Sequence, residues 1–385
     1  KIALKQINKG SDMQLSVKQA RLTFPLTLTV DSVAMQTPGM GIEAAYARIE
    51  IDPSPILRGE IYGRSIQARG ADIRIGTPDS TMYLTAALRD AVIDGAGIRL
   101  QSQRIDISKI TAAGAKVKIL MKPDSVPPPA TADSVPVNWH ITLGEASLTE
   151  VDYMMQLEPM IDRLSCTVAA ASLSGAEVDM RHNTVKANSI EVSRADAEYI
   201  YNSPEYIASY PVKAYVVPDT AAPTPWTVTA TKVRLTGSRA LYALRGHTPP
   251  SQAFDPEYIQ ASEIEIEVDS FRNRATEVHA PVRRISARER CGVPLQAAGL
   301  FDMDSVKMQV RDFIVTTPSS RIAVDGMMGM AAPGDTMLIT DTPVALRLTA
   351  GISNDDLRRL VPYPMTSTVA QLPPYSGIEA AVDID

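Results

Sequence analysis

The stretch that decides the fold is DPSPILRGEIYGRSIQARGADIRI, residues 52–75. Ser54 suits a helix N-cap, Pro55 the first helical position and Gly59 the residue just past a helix end, so a single helical turn is expected there. Beyond it the pattern becomes alternation. Ile66 and Ala68, then Ala71, Ile73 and Ile75, are separated by Gln67, Arg69, Asp72 and Arg74. Period two places the apolar residues on one face of a strand and the polar residues on the other.

The same texture recurs along the chain. Ile105 and Ile107 alternate with Arg104, Asp106 and Ser108; Ile264, Ile266 and Val268 with Glu263, Glu265 and Glu267; Val306, Met308 and Val310 with Lys307, Gln309 and Arg311. A clean polar face marks half-buried antiparallel strands. Helical signals are few and short. Asp79 or Ser80 caps an expected helix over Tyr83, Leu84, Ala87, Leu88 and Ala91, ending near Gly95. Ser203-Pro204 and Asp255-Pro256 each read as a cap followed by proline. Ser353 with Asp356 reads as a capping box, with Pro362 as the stop. The expected fold class is all-β: an elongated, curled antiparallel sheet, a taco-like repeating β-groove with a few short connector helices.

Composition agrees. Of 385 residues, 45% are hydrophobic but only 5% aromatic, so the apolar surface is aliphatic and suits a thin, repetitive β-structure. The net charge of −6, with scattered basic residues, gives nucleic-acid binding no support. Arg283, Arg284, Arg288 and Arg290 form one local cluster, read as a solvated rim or as a contact for an anionic partner such as a lipid headgroup. Cys166 and Cys291 fit neither a disulfide framework nor a zinc motif and read as unbridged. Cys166, between Leu164 and Val168, reads as a small buried hydrophobe. No apolar run reaches the length of a membrane span.

Two proline-rich breaks punctuate the chain, MKPDSVPPPATADSVP at 121–136 and PDTAAPTP at 218–225, and neither suits an interior strand. After each comes a tryptophan and a similar segment: WHITLGEASLTEVDYMM from Trp139 and WTVTATKVRLTGSRALY from Trp226, offset by 87 residues. A degenerate repeat of several strands follows. The expected organisation is a β-groove module over 1–120, a proline-rich linker over 121–137, one repeat unit over 138–217, and a second with its continuation over 218–385.

Catalytic patterns are absent. His140, His182, His247 and His279 lie far apart, so no metal site or cofactor is expected. Gly39-Met-Gly41-Ile-Glu-Ala44 has dinucleotide-fingerprint spacing but opens an alternating strand, where a long helix would be needed; the glycines read as a turn. Ala171-Ser-Leu-Ser-Gly175 lacks the first glycine of a nucleophile elbow. The chain is not expected to be an enzyme.

A long sheet with one apolar face must close into a barrel, stack on another sheet, or curl into an open groove. An open aliphatic groove suits acyl chains, and Ile66, Ile73, Ile75, Ile105, Ile107, Ile264, Ile266, Val268, Val306, Met308 and Val310 are its candidate lining. From the pattern alone, a dry core on the same face is the favoured reading.

Several segments resemble a known family. Asp31-Ser-Val-Ala-Met, Ala47-Arg-Ile-Glu-Ile, Ser54-Pro-Ile-Leu-Arg-Gly-Glu-Ile and Ala68-Arg-Gly-Ala-Asp-Ile-Arg-Ile resemble the N-terminal module of AsmA-like proteins, in which a short turn connects groove strands. Tyr83-Leu84 through Leu88 resembles that family's short helix. Ile264–Val268 with Asp269-Ser-Phe-Arg-Asn, Pro281 through Gly292, and Ile352-Ser-Asn-Asp-Asp-Leu to Val361-Pro362 resemble TamB-like members from Bacteroidetes. The resemblance implies a bacterial periplasmic protein anchored in the inner membrane by a helix just before Lys1. Its groove would bridge phospholipids toward the outer membrane. It further implies a possible TamA-like barrel partner and a role in outer-membrane protein assembly. The C-terminal TamB signature is not recognisable, so the chain looks like an N-terminal portion. A secreted structural β-array is the remaining alternative.

Overall fold

The computed structural model describes residues 14–24, 26–37, 39–55, 61–78, 82–99, 102–121, 138–157, 162–209, 225–249, 252–275, 277–329, 343–362 and 377–384. These form an all-β protein of curled, unclosed sheet, as the alternation predicts. They fall into two compact units, divided at the strand Thr184–Tyr201.

The first unit holds β1 (Gln14–Thr23), β2 (Thr27–Thr37), β3 (Met40–Asp52), β4 (Ile61–Ile75), β5 (Met82–Arg99), β6 (Arg104–Met121), β7 (His140–Leu157) and β8 (Asp162–Asp179), with helix α1 (Pro204–Ser209). The second holds β9 (Thr184–Tyr201), β10 (Thr227–Leu244), β11 (Tyr258–Arg274), β12 (Glu277–Glu289), β13 (Pro294–Met303), β14 (Lys307–Thr316), β15 (Arg321–Gly329), β16 (Val344–Ser353) and β17 (Gly377–Ile384), with α2 (Asn354–Leu360).

In the first unit each strand pairs antiparallel with the next until β6, which pairs parallel with β7, Arg104 opposite His140 through Met121 opposite Leu157. Parallel neighbours need a crossover where antiparallel ones need only a hairpin, and here the crossover carries the first proline-rich break. In the second unit β9 meets β10 the same way up: Thr229 Oγ1 donates to the Val185 carbonyl and Ala195 N to Ser238 Oγ. This step follows the second break. β7 and β10, which open the two similar segments, are both 18-residue strands and start 87 residues apart. The breaks themselves, residues 122–137 and 210–224, lie outside the described residues.

Regular pairing is interrupted along two lines that cross the first unit. One passes through Lys18, Ser32, Gly70, Gly114 and Glu150. The other passes through Arg64, Gly95, Ser108, Gly144 and Gly175. Several of these residues have left-handed backbone, including the non-glycines Ser32 (φ 52°) and Glu150 (φ 54°), a conformation that side chains disfavour. Each crease bends the strands and resets their alternation. On β6 the apolar residues run Ile105 and Ile107, then Ile110 and Ala112, then Ala115, Val117 and Ile119. The parity changes at both creases, and all of these residues stay on one face.

Four local expectations change. Tyr83–Ala91 lies within β5 and is not helical. A phase reset at Arg89 places Leu84, Leu88 and Ala91 at spacings of four and three, which imitate a helix; the segment is strand because its neighbours Ile73 and Val117 pair with Ala86 on either side. Val306 belongs to no strand. The Asp304 carboxylate accepts from the Val306 and Lys307 amides, making a tight turn that leaves Val306 68% exposed. Asp255-Pro256 starts a turn, with the Asp255 side chain accepting from Glu257 N and its carbonyl from Tyr258 N. Ser54 donates its amide and hydroxyl to Asp52, so the aspartate caps that turn; residues 56–60 lie outside the described residues, as do Asp79 and Ser80. Two helices are where the caps predict: Ser203 Oγ accepts from Tyr206 N before α1, and Ser353 Oγ from Asp356 N before α2.

Candidate functional site

The creases explain which residues are buried. Val30, Ile264, Val268, Val293 and Pro55 aside, every buried apolar side chain among the described residues is an alanine. Those of the first unit flank the creases: Ala44, Ala71, Ala112 and Ala115 along one, Ala96 and Ala176 along the other. Where a sheet bends, side chains on the inside of the bend converge, and only a methyl fits. The apolar face is therefore the concave one.

Large aliphatics occupy the stretches between and beyond the creases, in rows set by register. One row joins Leu28, Ile49, Ile66, Ile93, Ile110 and Leu173, the last by way of Ala146. Another includes Ile42, Ile73 and Val117. Ile105 pairs with Ile98 and Ile141, and Ile107 with Ala96 and Leu143. Ile66, Ile73, Ile105 and Ile107 remain partly exposed, and Ile75 at its strand end is 37% exposed. Two packed sheets interdigitate large residues into a closed core. Here the small residues are deep and the large ones are uncovered, so the surface is a trough lined by aliphatic walls.

The second unit repeats the scheme. Leu235, Ile266, Ile285, Val315 and Ile322 share a row with Ala297 and Ala350. Ile264 and Val268 are buried, while Ile266, Met308 and Val310 are partly exposed. Ser238, 1% exposed, sits at a crease of this face with its hydroxyl donating to the Thr236 carbonyl and accepting from Ala195 N. The alternation places all the candidates except Val306 on the apolar faces of the two units. It does not single out the crease alanines, although the two parity changes within each long strand mark them.

Charges occupy the opposite face. Arg284 pairs with Glu265, Arg288 with Glu263 at 3.3 Å and Arg283 with Asp269 at 3.7 Å, a cross-strand ladder between β12 and β11. Such exposed pairs contribute about 0–1 kcal/mol each and read as a solvated face. Arg290 instead donates to the Ala253 carbonyl and lies over the Tyr258 ring. Burial would raise the Asp106 carboxyl, but hydrogen bonds from Thr142, Arg104 and Arg99 outweigh it and hold the group below the usual carboxylate range.

Each histidine faces a carboxylate: His140 Glu177, His182 Asp179, His247 Asp255 and His279 Asp302. Among the described residues no group of His, Cys, Asp and Glu could hold a metal ion. Neither cysteine forms a disulfide. Cys166 is partly exposed on the apolar face, opposite Tyr153, where the sequence suggests burial. Burial, with Glu289 beside it, pushes the Cys291 thiol up to about 11. No described helix is long and apolar enough to cross a membrane.

No family model, curated protein or solved structure matches the chain. What the trough does must therefore be argued from its own surfaces.

Proposed function

We propose that this chain is a non-enzymatic lipid-handling protein whose trough shelters acyl chains of phospholipids between the membranes of a bacterial envelope. One observation carries the reading: on a concave face the enclosed apolar residues are mostly alanines, while most of the isoleucines, leucines and methionines stay partly exposed. Exposing a tail to water costs roughly 0.8 kcal/mol per methylene, so a tail of about 14 methylenes faces a barrier on the order of 11 kcal/mol. An aliphatic trough removes most of it. Few polar groups line the face, which favours sliding over oriented capture. The AsmA-like and TamB-like resemblance supports a periplasmic setting and an inner-membrane anchor.

The test is the lipid content of the purified protein by mass spectrometry, with Ile266→Asp and Met308→Asp separately. Bound phospholipid that falls several-fold in both variants, with the sheet intact by circular dichroism, supports the reading. Protein free of lipid, or variants that load as well as the parent, defeats it.

A second reading, a scaffold for outer-membrane barrel strands, is favoured by β1, which is exposed at most of its residues and could add a strand by edge pairing. It predicts crosslinks from β1 to nascent barrel proteins, and none to lipid from Ile66.

A further inference from the structure

We propose that the tip of the β1–β2 hairpin, Leu22 and Phe24 backed by Arg21 and Lys18, seats the first unit on an anionic phospholipid bilayer and forms the mouth of its trough. The proposal rests on the lipid-handling reading and adds where lipid enters. Phe24 is 97% exposed, the most exposed large apolar side chain among the described residues, and Leu22 is 67% exposed. Every residue from Lys18 to Phe24 is exposed, although β1 stays paired with β2 as far as Thr23.

Three further observations select a bilayer as the occupant. First, Leu22 pairs with Leu28, which pairs with Ile49 and so continues the row through Ile66 and Ile93. An apolar track thus leads from the tip into the trough with no polar residue in the way. A docking patch for a folded protein would not need that continuity. Second, the spacing fits an interface. Amphipathic elements sink roughly 5–10 Å into the headgroup boundary. At about 3.3 Å per residue, Arg21 lies roughly 10 Å behind Phe24, at the level of the phosphates. Third, the charge is complementary. Asp31 is the single acid in Gln14–Thr37 against Lys18 and Arg21, and among the described residues neither cation is ion-paired, although Lys18 lines the same depression as Glu43 and Asp72.

The experiment uses the full chain and flotation with vesicles of phosphatidylglycerol and phosphatidylcholine, beside vesicles of phosphatidylcholine alone. The parent floats with the anionic vesicles. Leu22→Ser with Phe24→Ser lowers the bound fraction at least tenfold, and Lys18→Gln with Arg21→Gln abolishes the preference for phosphatidylglycerol. Uptake of a short-chain fluorescent lipid from micelles, which bypasses the mouth, stays unchanged in the serine variant. A Phe24→Trp variant shows a blue shift on adding vesicles beyond that of Trp139 and Trp226 in the parent. Flotation indifferent to the serine pair, the result expected if the tip serves a protein partner, overturns the proposal. So does a parent that binds no vesicles. If instead flotation depends on the tip but no protein takes up lipid from micelles, the trough reading falls and the entry role falls with it.

Discussion

Gly144 of β7 lies against the backbone of Ser108 of β6 so closely that a Cβ built on it would stand 2.5 Å from the Ser108 carbonyl oxygen. The two strands run parallel here, and the contact sits on a crease. Backbone cannot give way as a flexible side chain can. Gly144→Ala should therefore cost about 1–3 kcal/mol through overpacking, measured by urea denaturation. Gly41→Ala, whose new methyl would meet only Gln36 Cγ at 4.0 Å, should stay within about 0.5 kcal/mol of the parent.

Ala112, 5% exposed on the inside of a bend, has no room for a larger side chain. Ala112→Leu should destabilise by about 1–3 kcal/mol. Ala113→Leu, one residue on and facing the opposite side, should be close to neutral. Equal effects at the two positions would show that the bend does not restrict side-chain size.

How far the sequence discloses this fold follows from the same residues. Period-two runs such as Ile264–Val268 identify strands because the sheet has one polar face throughout. Leu84, Leu88 and Ala91 mislead because a crease inserts a phase change, and a single phase change in a two-residue period looks like a helical three-four step. Val306 misleads because Asp304, two residues earlier, captures its amide for a turn. The parallel step at β7 has no signature beyond the prolines before it, since strand direction is decided by partners far away in the chain. Trp139 and Trp226 each mark the entry to an 18-residue strand.

Asp356, 6% exposed, accepts hydroxyl hydrogen bonds from Thr317, from Ser320 at 2.6 Å and from Ser319 at 2.9 Å, joining the β14–β15 turn to α2. Burial opposes its charge, but these hydroxyls outweigh burial and hold its pKa below the ordinary value. A lowered folded pKa means stability that is present above the unfolded value, near 4, and lost as pH falls through the folded one. Asp356→Ala should cost about 1–3 kcal/mol at pH 7 by leaving hydroxyls without their acceptor. The gap between parent and variant should narrow in denaturation curves taken from pH 5 down to pH 3.

The two thiols should differ in reactivity. Cys291, raised to about 11, holds almost no thiolate at pH 7.5 and should alkylate slowly. Cys166, partly exposed on the apolar face, should react first with an apolar maleimide. Loading the protein with lipid should slow Cys166 several-fold and leave Cys291 unchanged, as read by intact-mass spectrometry. Equal protection at both would point to global tightening.

The creases also bear on how such a chain stays out of fibrils. Eighteen residues of straight β-strand with one greasy side would offer an edge on which any similar ribbon could add and stack. β6 and β7 are instead bent twice, six residues apart, at Ser108 with Gly114 and at Gly144 with Glu150. An incoming strand must carry both bends at the same spacing to zip along them. The residues that hollow the sheet thus also make it a poor template for strangers.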